Sequence, residues 1–217
     1  MALVYHRELD EDNSFSIWKI EEDKETLLNQ LQLNEEEREK LESLRKGKRT
    51  LHWLTTRVLL RHMLKTDEFI ECPSDVNGKP YLVGFPYSIS LTHSYDYAAV
   101  MLSSTSSCGI DIEKIKDTVL RIKHKFLRPE ELSFLESGTF EKEKLYACWC
   151  AKEAVYKLQG KKGVSFYRDM TIAPFTYTRQ GTLSLELNHP EKGIVVYTVF
   201  YEKFNEYMLA YVHENLT

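Results

Sequence analysis

Two short runs hold the residues best suited to chemistry. In Gly109-Ile110-Asp111-Ile112-Glu113 the alternation of apolar and charged residues predicts a strand. Residues two apart on a strand share a face at about 7 Å, so Asp111 and Glu113 lie together and Ile110 and Ile112 pack on the other side. Two carboxylates on one face repel unless a cation or base sits between them. Hard oxygen donors suit Mg2+, which keeps several waters and takes phosphate oxygens as partners. From spacing alone, the solvated edge of an amphipathic strand is the commoner case. The second run is Trp149-Cys150-Ala151-Lys152-Glu153-Ala154-Val155-Tyr156-Lys157. Glu153 and Lys157 stand i, i+4 on a helix, a pattern that in isolation is usually an exposed ion pair worth about 0.3–0.5 kcal/mol. Lys152 falls in the apolar arc of that helix, which predicts burial beside a carboxylate or phosphate unless its ammonium snorkels out.

Three further groups are weaker on their own. Arg57 lies on a helical wheel among Trp53, Leu54 and Leu64 and can snorkel. His93 sits in Leu91-Thr92-His93-Ser94, read as a loop ahead of a strand. Lys79 sits in the turn Asn77-Gly78-Lys79-Pro80, whose geometry needs only Gly78 and Pro80.

The elements that must position these groups follow from periodicity. Residues 21–44 read as one or two solvent-facing helices. Residues 49–65 and 140–158 read as long amphipathic helices, the second stopped by Gly160. Strands are predicted over 97–102, 109–115, 182–187, 194–201 and 206–213, with Ser103–Ser107 as a central loop. A helix-then-strands pattern occurs twice. The expected fold is therefore α+β, with two similar halves (1–104 and 105–217), each an antiparallel sheet on a long helix, and a ligand cleft between them.

Composition narrows the function classes. Lys and Arg total 29 and Asp and Glu 33, a formal net charge of −4, which argues against a general nucleic-acid binder. No apolar stretch approaches the roughly 20 residues of a membrane span, and the N-terminus lacks a signal-peptide core. Cys72, Cys108, Cys148 and Cys150 show no metal or disulfide spacing. A cytoplasmic protein with reduced thiols is expected.

Taken in order, these motifs resemble the Sfp-type 4′-phosphopantetheinyl transferases. Gly109–Ile115 (GIDIEKI) is similar to that family's G-[VI]-D-x-E signature, and Trp149–Lys157 (WCAKEAVYK) to its W-[ST]-x-K-E-A-x-x-K signature. NGKPYL at Asn77–Leu82, LTHS at Leu91–Ser94 and FLRPEEL at Phe126–Leu132 resemble accompanying segments. Cys150 stands where Ser or Thr is usual, and Thr92 replaces a serine. The resemblance implies transfer of the 4′-phosphopantetheine arm of coenzyme A to a serine of an apo acyl or peptidyl carrier protein, releasing 3′,5′-ADP. It implies Mg2+ held by Asp111, Glu113 and Glu153, with Glu153 also a candidate base and Lys157 a donor to the leaving phosphate. It places coenzyme A against Arg57, Lys79, Pro80, Thr92, His93 and Lys157, and suggests a monomer. A metal-dependent phosphodiesterase or nuclease, and a non-catalytic binding module of the same fold, are the alternatives.

Overall fold

The computed structural model describes residues 3–44, 47–135, 139–189 and 191–214. Met1 and Ala2, part of the N-terminal stretch considered above, lie outside them. The first sheet is built from β1 (Leu3–Glu8), β2 (Asn13–Lys19), β3 (Ser88–Ser94) and β4 (Tyr97–Ser103), in the order β1-β2-β4-β3, every pairing antiparallel. Between β2 and β3 come α1 (Lys24–Leu28), α2 (Glu35–Ser43) and α3 (Lys48–Leu64). Asn34 and Glu37 form a reciprocal capping box that starts α2. The second sheet contains β5 (Cys108–Lys114), β6 (Met170–Ile172), β7 (Gln180–His189), β8 (Gly193–Phe204) and β9 (Tyr207–His213), in the antiparallel order β5-β9-β8-β7-β6. After β5 come α4 (Thr118–Ile122), α5 (Pro129–Leu135) and the long α6 (Glu141–Gln159).

The two-residue period of the strands sorts side chains into three cores. Trp18, Val100 and Leu102 face α3, whose Leu54, Val58, Leu59 and Leu60 cover them. Met208, Ala210 and Val212 face α6, with its Cys148, Ala151, Ala154 and Val155. The opposite faces of both sheets meet in a third cluster, with Phe15, Ile17, Ala99 and Met101 against Ile110, Ile112, Leu209 and Tyr211. The protein is thus α+β with two antiparallel sheets. One connectivity occurs in both: a strand (β2 or β5), a long helix (α3 or α6), then a hairpin (β3–β4 or β8–β9) whose last strand returns to pair with the first.

The sequence reading needs correction at the strands it left out. Leu91–Ser94 is not a loop but the end of β3. Its Ser90, Thr92 and Ser94 are buried, so a strand enclosed by protein presents polar residues and hides its apolar signal. The first two strands and β6 were likewise not foreseen.

Candidate active site

The site forms where the two sheets abut. β5 pairs with β9 along one edge, which leaves a row of backbone N–H groups on the other. Side-chain hydroxyls of β3 satisfy them. Ser90 Oγ accepts from Ile110 N–H (3.0 Å), Thr92 Oγ1 from Ile112 N–H (3.3 Å) and Ser94 Oγ from Lys114 N–H (3.2 Å). Each hydroxyl has a single proton. Thr92 gives its proton to Asp111 Oδ1 (3.0 Å), and Ser94 gives its own to Glu113 Oε2 (2.6 Å). Three hydroxyls thus bind the strand edge, and two of them, Thr92 and Ser94, also aim the carboxylates.

α6 closes the other side. Ala154 and Gly109 let helix and strand approach very closely: a Cβ built on Gly109 would lie 2.0 Å from the Ala154 carbonyl oxygen. That approach brings Lys157 to β5. Its Nζ donates to Asp111 Oδ1 (2.7 Å) and to the Ile110 carbonyl (3.1 Å). The sequence pattern suggested an exposed pair with Glu153; the partner is instead Asp111, only 4% exposed, on the neighbouring strand. The solvated-edge reading of Asp111 fails for the same reason.

Burial and mutual repulsion tune the acidic groups. Desolvation, then the Asp111 charge, push Glu153 up to about 7 and raise Glu113 above the usual carboxylate range. Burial, with Asp111 and Glu113 nearby, keeps the Cys150 thiol protonated. Among the described residues, no set of three or more His, Cys, Asp or Glu side chains is already gathered around a metal position. The donor set nevertheless fits a hard divalent cation. Asp111 Oδ2 is buried without a hydrogen-bond partner, and the charged form is disfavoured at Glu113 by Asp111 and at Glu153 by Asp111 and Glu113. A cation bound there would relieve both.

The remaining candidates other than Thr92 line two cavities that share Leu91 of β3. Lys79, Pro80 and Lys157 line one of about 240 Å³, together with Gly78, Ser90 and Gly160. Lys79 Nζ donates to the Leu158 carbonyl (2.7 Å), a cation at the C-terminus of α6. Gly160 ends α6 at φ 61°, and a Cβ there would lie 2.4 Å from Lys79 Cδ; glycine therefore serves both the left-handed cap and the passing lysine. Arg57 and His93 line the second cavity, of about 320 Å³. The Arg57 guanidinium lies 3.6 Å from the Trp53 ring centroid, near Glu37, and its Nε lacks a partner. The His93 ring stacks on His52 at 4.2 Å. Although His93 is exposed overall, loss of water from the covered face, then the second imidazole, push it down to about 4. His52 donates from Nε2 to the Tyr95 carbonyl (2.9 Å), since a carbonyl can only accept. Thr92 does not face an open cavity; its hydroxyl is committed to Asp111 and β5.

Lys152 is fully buried. Its Nζ donates to the carbonyls of Phe126, Phe166 and Met170 and pairs with Glu131 Oε1 at 2.8 Å. Glu131 also accepts from the N–H groups of Arg128 and Ile172. Glu131, Ser90, Ser94 and His52 were not singled out from the sequence. The Ser-x-Thr-x-Ser alternation at 90–94 has the same period as 110–114, which was the one signal pointing to two of them.

Residues 107–212 match the model of the 4′-phosphopantetheinyl transferase superfamily. Through these residues the chain is similar to that superfamily, as it is to proteins named 4′-phosphopantetheinyl transferase. The matched span includes all of β5 and α6 and the second sheet except the last residue of β9, and with them Asp111, Glu113, Lys152, Glu153 and Lys157. The chain is 33% identical over 136 residues to the 4′-phosphopantetheinyl transferase psf-1 of Bacillus pumilus, covering 59% of this chain and 58% of that one. It is 30% identical over 136 residues to the 4′-phosphopantetheinyl transferase of Bacillus subtilis, covering 61% and 58%. It is 32% identical over 122 residues to the 4′-phosphopantetheinyl transferase AcpT of Salmonella typhi, covering 52% and 61%. The chain spans about three-fifths of the length of these superfamily relatives. The remaining phosphate-contact candidates (Arg57, Lys79, Pro80, Thr92 and His93) precede the matched span.

Proposed function

We propose that the protein is a 4′-phosphopantetheinyl transferase that moves the phosphopantetheine arm of coenzyme A to a serine hydroxyl of an apo acyl or peptidyl carrier protein and releases 3′,5′-ADP. The observation that carries this reading is the convergence of Asp111, Glu113, Glu153 and Lys157 between β5 and α6, within the segment that matches the superfamily. Asp111, Glu113 and Glu153 would hold Mg2+, which when bound neutralises charge on the pyrophosphate oxygens. Glu153, pushed up to about 7, has a proton affinity suited to accepting the proton of the attacking serine. Lys157 Nζ would donate to the departing phosphate, and Lys79 and Pro80 would line the same cavity. Arg57 and His93 would meet a further phosphate group, with Thr92 holding Asp111 from behind. In this reading the halves 1–104 and 105–217 are related by a pseudo-two-fold, the cleft follows the β3–β5 junction, and the enzyme is a cytoplasmic monomer. No helix among the described residues is long and apolar enough to cross a membrane.

The test is incubation with coenzyme A, Mg2+ and a panel of apo carrier proteins, read by intact-mass spectrometry. The expected result is a carrier that gains one phosphopantetheine mass and loses that gain when its acceptor serine is replaced. Unmodified carriers across the panel, with cleavage of an added oligonucleotide, would instead identify a phosphodiesterase.

A further inference from the structure

The Lys157–Asp111 pair is unequal. Asp111 is enclosed, with 6% of its side chain exposed, whereas 27% of Lys157 is exposed. The lysine takes only Oδ1, which it shares with Thr92, and leaves Oδ2 buried and unpartnered. Its second bond, to the Ile110 carbonyl, is longer. It also lines the open cavity beside Lys79 and Gly160. An aspartate fixed by a neighbouring strand is therefore paired with a lysine that has somewhere else to go.

We propose that Lys157 is a resident counter-cation of the acidic site, occupying Asp111 when no metal is bound and yielding it when a divalent cation enters. This inference rests on the proposed metal-dependent function and adds a regulatory role to a lysine so far given only a phosphate contact. Without some positive charge, Asp111, Glu113 and Glu153 would raise one another's energy at close quarters. A single ammonium offsets part of that repulsion. It then opposes a divalent ion through like-charge repulsion until its flexible stem carries it into the cavity, where phosphate oxygens would receive it. Metal binding and phosphate binding are coupled in this arrangement. The metal releases the lysine toward the phosphates, and a polyphosphate that holds the lysine frees Asp111 for the metal, each favouring the other by the same factor.

The experiment is Mn2+ titration followed by the electron paramagnetic resonance of the free ion, on the wild type, Lys157→Met, Lys157→Gln and Lys157→Arg, each checked for folding by circular dichroism. Removing the charge in Lys157→Met or Lys157→Gln is expected to tighten Mn2+ binding about tenfold, while Lys157→Arg stays near the wild type. Adding 3′,5′-ADP should tighten Mn2+ binding in the wild type and much less in Lys157→Met. The neutral pair provides two chances of a folded variant, and the nucleotide effect on the wild type needs no variant. Equal or weaker Mn2+ binding in the neutral variants, or a nucleotide effect undiminished by them, overturns the inference and leaves the metal reading standing. Absence of Mn2+ binding in wild type and neutral variants alike removes the metal reading as well.

Discussion

At the scale of single residues, the site is governed by which charges can be hidden. His93 illustrates the cost for a base. Its pKa falls from 6.5 to about 4 in the folded chain, so it is neutral near pH 7 and would meet the proposed phosphate as a hydrogen-bonding ring rather than as a cation. Between about pH 6.5 and 4 the unfolded chain binds a proton that the folded chain refuses, so native stability falls as pH drops through that window. An NMR titration of the His93 ring should give a midpoint near 4 and a higher one with 3′,5′-ADP bound; a midpoint near 6.5 in the free protein contradicts the covered-ring account. Lys152 shows the other solution, a buried ion surrounded by acceptors. Lys152→Met leaves Glu131 charged and enclosed, and urea denaturation should show a loss of about 3–5 kcal/mol. Lys152→Met with Glu131→Met should recover a large part of it, because two apolar side chains leave no buried charge. A double variant as unstable as the single one would mean that the three backbone carbonyls, rather than the ion pair, set the cost.

At the scale of elements, what was legible in the sequence was whatever carried its own periodicity. The long helices read as 49–65 and 140–158 run Lys48–Leu64 and Glu141–Gln159, and Gly160 caps the second in a left-handed conformation. The strand read at 109–115 is Cys108–Lys114, with Ile110 and Ile112 packed away from Asp111 and Glu113 as the alternation requires. β3 was not legible, because its register with β5 is set by hydroxyls across a sheet boundary that no local pattern encodes. The Lys157–Asp111 pair was hidden for a related reason: 46 residues separate the partners, and a nearer acid, Glu153, offered a plausible local mate. What joins them is the close crossing of α6 over β5 at Gly109. Gly109→Ala would place a methyl group 2.0 Å from the Ala154 carbonyl oxygen and 3.0 Å from the Leu158 nitrogen. Helix backbone cannot yield there as a flexible side chain would, so α6 must lift from the sheet. The expected loss is about 3 kcal/mol or more by chemical denaturation, and the proposed transferase activity should fall further than stability because Lys157 moves with the helix. A Gly109→Ala protein of normal stability would show that the crossing has slack.

At the scale of the whole molecule, the two sheets share too much to be independent. Each has its own helix-covered core, but the third cluster takes side chains from β2 and β4 on one side and from β5 and β9 on the other. Arg7 of β1 adds an ion pair to Glu202 of β8 at 2.9 Å, and the hydroxyls of β3 bond directly to the edge of β5. Separating the sheets would expose the apolar faces of both and exchange the β3–β5 hydrogen bonds for water, and the exposed apolar surface makes the half-unfolded state costly. The molecule is therefore expected to open as one cooperative unit despite its repeated connectivity. Met101 of β4 is fully buried in the shared cluster, and Met101→Ala should remove about 2–5 kcal/mol. Native-state hydrogen exchange of the slowest amides can locate that loss. A cooperative molecule loses the same protection in β9 as in β4, although β9 carries no substitution. Lost protection confined to β1–β4, with β9 exchanging as in the wild type, would mean that the second sheet stays folded while the first opens, and that the site at their junction is assembled from two separately stable halves.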